Sequence, residues 1–74
     1  MFTEHSPVVL DAEPPHQKLS RGDVGTVIHG YKGGKGYDVE SVDGGGNTVV
    51  LITVDAADVR PIQAGELLHT RETA

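Results

Sequence analysis

Tyr37-Asp38-Val39-Glu40-Ser41-Val42-Asp43-Gly44-Gly45-Gly46-Asn47-Thr48-Val49-Val50-Leu51-Ile52-Thr53-Val54 reads as two strands and the turn between them. In the first segment Tyr37, Val39 and Ser41 face one way and Asp38 and Glu40 the other, which is the alternation of a half-buried strand. Asp43 to Asn47 carries three consecutive glycines, the composition of a tight turn. Thr48 to Val54 is rich in β-branched residues, with Thr48, Val50, Ile52 and Val54 on one face and Val49, Leu51 and Thr53 on the other. A strand with one buried face alternates apolar and polar residues, whereas both faces here are apolar. Something should therefore cover the second face: the C-terminal segment through Leu67 and Leu68, an interface, or both in a dimer.

The same pattern extends in both directions. Pro7 to Leu10 reads as a first strand, followed by a proline-containing loop from Asp11 to Lys18 and an anchoring Leu19. Val24 to Tyr31 reads as a second strand and Lys32 to Gly36 as a glycine-rich hairpin turn. After the fourth strand, Asp55 to Asp58 has the look of one helical turn with Asp55 as its N-cap. Val59 to Ile62 makes a short last strand, and Pro61 implies an edge. The expectation is an all-β, five-stranded SH3-like barrel over residues 1–62, with a short helical turn before the last strand. Residues 63–74 form a C-terminal tail, in which Ala64, Leu67 and Leu68 offer one side of a short helix that Gly65 weakens; a frayed tail is expected.

Composition sets the exclusions. Seventy-four residues suffice for one domain, and the absence of cysteine removes disulfides and thiolate metal sites. No signal-like segment and no apolar run long enough to span a membrane is visible, so a cytoplasmic location is expected. The net charge of −5, with six scattered Lys and Arg and few aromatic residues, argues against nucleic acid and favours basic protein surfaces. His5, His16, His29 and His69 lie far apart, without the close ligand spacing of a metal site. Ser6, Ser20 and Ser41 lack a nucleophile context, and a barrel this small has its interior filled by side chains. No enzymatic activity, cofactor or metal is expected.

Two resemblances bear on the fold. Arg21-Gly22-Asp23-Val24-Gly25-Thr26-Val27 resembles the core of the KOW motif of SH3-like domains in ribosomal proteins and transcription elongation factors. Its glycines suit a tight entry into a bent strand, and the Asp23 carboxylate suits turn amides, so Gly22, Asp23 and Gly25 are expected to shape the turn. Over a longer span, Asp11, Pro14 and Pro15, Leu19 to Val27, Tyr37 to Glu40, Ile52-Thr53-Val54 and Val59-Arg60-Pro61 resemble a family of short bacterial proteins of unknown function. That resemblance implies a small SH3-like protein, the companion of another protein. Where the family's pattern has an aromatic after Tyr-x-Val-Glu this chain has Ser41, which should leave a looser core or a small cavity.

The functional expectation is a non-enzymatic interaction module that binds another protein, or itself, through Val49 and Leu51 and through the acidic Asp11 and Glu13, with Asp38 and Glu40 adding negative charge. The alternative is a KOW-like RNA- or ribosome-associated domain resting on Arg21 to Val27 and on Lys32 and Lys35.

Overall fold

The computed structural model describes residues 2–14, 16 and 18–72. Met1, Pro15 and Gln17 of the expected domain, and Thr73 and Ala74 of the expected tail, lie outside the described residues. Five strands form, β1 (Pro7–Leu10), β2 (Val24–Gly30), β3 (Gly36–Val42), β4 (Thr48–Asp55) and β5 (Val59–Arg60), with single 3-10 turns at Lys32–Gly34 and Ala56–Asp58. All pairings are antiparallel, in the order β4-β3-β2-β1-β5. The five strands and the turn before the last are those expected from the sequence. The sheet does not close into the expected barrel, however: β4 pairs only with β3 and β5 only with β1 among the described residues, which leaves two edges. β5 stops at Arg60 rather than Ile62 because Pro61 has no amide to continue the ladder.

The inward faces of the strands supply the core. Val8, Leu10, Leu19, Val27, Tyr37, Val39, Val50, Ile52, Val54 and Val59 form one buried cluster. Ser41 is buried among them, and its hydroxyl has no hydrogen-bond partner among the described residues. A polar atom placed there costs stability without a compensating bond. Ala56 donates its amide to the Lys35 carbonyl at 3.0 Å, so the 3-10 turn is tied to the β2–β3 hairpin. The expected cap does not form: Asp55 sits at the N-cap position but its side chain makes no capping bond. Among the described residues no helix is long and apolar enough to cross a membrane.

The β3–β4 register corrects the face assignment at one point. Ser41 pairs with Val50 but Val42 pairs with Thr48, so Val49 is the extra residue of a bulge. The bulge resets the alternation. Thr48 turns outward and donates its hydroxyl to Glu40 at 2.8 Å, while half-buried Val49 packs against the core. Leu51 is then the large apolar side chain that β4 shows to the outside, 57% exposed.

Residues 63–72 contain no helix, only a turn at Ala64–Gly65. The tail does not cover β4, since Leu67 and Leu68 are 81% and 66% exposed. It runs instead past the start of β2 and over β1, where Val9, on the face opposite Val8 and Leu10, shares a cleft with Ile62 and Leu67. That placement explains why three successive residues of β1 are all buried.

Candidate interaction surface

The outward face of β2, β3 and β4 is built by cross-strand pairing. Thr26 lies opposite Glu40, Glu40 opposite Leu51, His29 opposite Asp38 and Asp38 opposite Thr53. Directly opposed residues put their side chains on the same face of a sheet. Asp38 and Glu40, two positions apart on β3, therefore stand at the centre of this face.

Neutral donors hold both carboxylates. The Tyr31 hydroxyl donates to both oxygens of Asp38 at 3.0 Å, and the Thr53 hydroxyl donates at 2.6 Å. These bonds, Thr53 foremost, hold the Asp38 carboxyl below its ordinary range, and His29 nearby adds to the effect. The Tyr31 ring is oriented in turn by an edge contact with His29, at 4.9 Å between centroids. Hydroxyl donors satisfy lone pairs without neutralising charge. No lysine or arginine among the described residues lies within ion-pair distance of either carboxylate.

Beside this stripe runs an open groove of about 700 Å³ between the sheet and the tail. Val24, Val42, Val49 and Leu68 give it apolar walls, and Glu40 and Asp43 stand on its rim. Val24 and Val42 are exposed, as is Leu51 next to Glu40, so apolar surface continues from the groove onto the sheet. Asp43 is fixed by its own turn, accepting the amides of Gly45 at 2.9 Å and Asn47 at 3.0 Å.

The sequence-derived candidates fall into three places. Val49 and Leu51 lie at this surface, Val49 in the groove wall and Leu51 on the open sheet. Asp11 lies elsewhere, 3.5 Å from Arg60 and 3.7 Å from Arg21, so its charge is already balanced by two guanidinium groups. Glu13 lines a separate small cavity with Pro14, Asp55 and Asp58. Gly22 and Asp23 form the turn that ties the loop to β1: Gly22 donates to the Leu10 carbonyl at 2.7 Å and Leu10 to that of Asp23 at 2.9 Å. The Asp23 carboxylate also accepts the Ser20 amide at 2.7 Å. Sequence reasoning missed Tyr31, Thr53 and Thr48 as the donors that fix the acidic pair. Their role depends on the β2–β3 hairpin for Tyr31 and on the β3–β4 register for Thr48 and Thr53, for which the sequence contains no direct signal.

Arg71, also missed, closes the groove by pinning the tail. Its guanidinium grips Asp23 with two nitrogens and donates to the Lys18 carbonyl at 2.8 Å. At the other end of the tail Arg60 meets both oxygens of Glu66, at 2.7 and 2.8 Å, and the Gln63 amide adds a third bond. Arg60, and then that amide, hold the Glu66 carboxyl down at about 2. A depressed carboxyl contributes stability above its ordinary range and loses it as pH falls through the folded value. The anchor should thus survive mild acid and release only near pH 2. Side-chain carboxyl chemical shifts of Glu66 should show this low midpoint, and Arg60→Ala should return it to the ordinary range of about 4.3. An ordinary midpoint in the parent protein would mean that the anchor does not persist in solution.

Together the fold and surface define a small antiparallel β-sheet domain with an acidic, partly apolar outer face. Residues 4–61 match the family model described as Domain of unknown function (DUF4926), and the chain belongs to that family. The match takes in every strand and the residues Asp38, Glu40, Val42 and Leu51, and it stops short of the tail. No curated protein and no solved structure matches the chain.

Proposed function

We propose that the protein is a non-enzymatic protein-interaction module of SH3-like architecture, which binds another protein or a second copy of itself through the outward face of β2, β3 and β4. The strand order β4-β3-β2-β1-β5, with a 3-10 turn leading into the last strand, supports the SH3-like reading. The observation that carries the functional reading is the apolar surface of Val24, Val42, Leu51 and Leu68 alongside the groove. Apolar side chains left in water forgo roughly 1.5–3 kcal/mol each that full burial would supply, and contiguous exposure of this kind marks contact sites. β4 adds an unprotected edge, with no lysine or proline between Thr48 and Asp55.

The test is Val42→Thr combined with Leu51→Thr, which removes apolar surface while keeping good strand formers. The double variant should melt like the parent, yet lose the self-association or the protein partner that the parent shows in sedimentation and in cross-linking followed by mass spectrometry. If parent and variant sediment alike and cross-link to the same proteins, the outer face is ordinary surface and the proposal fails.

A further inference from the structure

The outer face also specifies what kind of partner it fits. We propose, resting on the interaction reading above, that it receives an extended segment of another protein bearing lysine or arginine at alternate positions beside an apolar side chain.

The outer face is a sheet surface with Val42 and Leu51 exposed, and no lysine or arginine among the described residues lies within ion-pair distance of its two central carboxylates. Three other carboxylates have internal partners: Asp11 with Arg21 and Arg60, Glu66 with Arg60, and Asp23 with Arg71. Three of the six strong bases are thereby used, and among the described residues no ion pair reaches Asp38 or Glu40. In a chain of net charge −5, Asp38 and Glu40 are set apart by standing side by side on a face that also exposes Val42 and Leu51.

Geometry narrows the occupant. Asp38 and Glu40 are alternate residues of one strand, so their carboxylates are spaced like alternate side chains of an extended chain, roughly 7 Å apart. Thr53 and Tyr31 hold one, and Thr48 the other, which reduces the ordering that a cation would otherwise have to impose. The half-exposed Tyr31 ring beside Asp38 offers a face to an arginine or lysine. Leu51, opposite Glu40 on β4, supplies an apolar contact beside the charged positions. A nucleic acid, with its phosphates, meets repulsion at the same place.

The experiment uses three synthetic peptides of equal length, each with one central leucine and with lysine, serine or glutamate at the alternate positions. Binding to the full chain is followed by amide chemical shifts, at low and at physiological salt. The lysine peptide should bind at least about tenfold more tightly than the serine peptide, and more weakly as salt rises, while the glutamate peptide should not bind. Shifts should centre on Asp38, Glu40 and Leu51. Asp38→Asn with Glu40→Gln, which keeps the hydrogen-bond acceptors, should remove that preference. Equal binding of the lysine and serine peptides, lost in the Val42→Thr, Leu51→Thr variant, would leave the interaction surface standing and overturn the basic partner. Lysine-peptide binding unchanged in the Asp38→Asn, Glu40→Gln variant would overturn the placement. Binding of none of the three would overturn this inference alone, since cross-linking and sedimentation of the Val42→Thr, Leu51→Thr variant test the surface independently.

Discussion

Tyr37→Ala should remove about 3–5 kcal/mol of stability, the usual cost of truncating a buried aromatic. Tyr37 is 3% exposed and sits within the core cluster, on the strand between β2 and β4. Its ring meets Phe2 edge-on at 5.5 Å between centroids, and its hydroxyl accepts the Phe2 amide at 3.2 Å. One side chain thus fills the centre of the sheet and holds the N-terminal segment against it. A domain of this length is stable by only about 4–11 kcal/mol, so alanine here removes between about a quarter of that and all of it. Tyr37→Phe separates the two roles. It keeps the packing and gives up one hydrogen bond, and should cost only about 0.5–1.5 kcal/mol. Urea unfolding followed by far-ultraviolet circular dichroism gives both values. A Tyr37→Ala midpoint close to that of Tyr37→Phe would mean that the ring is not the centre of the core.

What the sequence revealed, and what it concealed, follows from how local each determinant is. The strand β3 was readable because Tyr37, Asp38, Val39 and Glu40 alternate within a few residues, and the structure keeps that alternation through Val42. The turns were readable because glycine and asparagine act within the turn itself, as when Asp43 caps the amides of its own hairpin. Val49 was misread because its orientation depends on a bulge, and a bulge is a property of two paired strands. The same limit applies to the surface. Asp38 and Glu40 could be identified as outward and acidic, but the hydroxyls that fix them come from Tyr31, Thr48 and Thr53, as far as 15 positions away. Asp11 had the same appearance in the sequence and a different fate. Arg60, brought to it by the β1–β5 pairing, and Arg21, in the turn that Gly22 ties to Leu10, pair with it. Of the covers the apolar excess of β4 suggests, the tail does not reach Leu51, which stays 57% exposed, and Leu67 and Leu68 are themselves largely exposed.

The two glycines of the Gly22-Asp23-Val24-Gly25 turn should respond differently to substitution, and Gly25→Val should be the more damaging, at about 3 kcal/mol, the upper end of what overpacking usually costs. Gly22 has a φ of +96°, so any side chain is strained there, but nothing lies within 4 Å of the position that its Cβ would take. Its substitution should carry only the cost of a left-handed backbone, about 1–2 kcal/mol. Gly25 lies in β2 opposite Val8, with no unusual φ, and its difficulty is space. A Cβ there would come within 2.4 Å of Val39 Cγ1, 3.1 Å of the Glu40 carbonyl and 3.4 Å of Ser41 Oγ. Val39 is 1% exposed and cannot yield outward, and the Glu40 carbonyl belongs to the neighbouring strand, so the β2–β3 pairing itself would have to shift. The clash gives the prediction a specific signature. Val39→Ala removes the Cγ1 that Gly25→Ala would meet, so the two together should cost clearly less than the sum of the single changes. Thermal and urea melts of the two single variants, the pair and Gly25→Val measure that coupling. Additive costs, or a Gly25→Val curve that overlays the parent, would mean that β2 and β3 do not approach as closely as this packing requires.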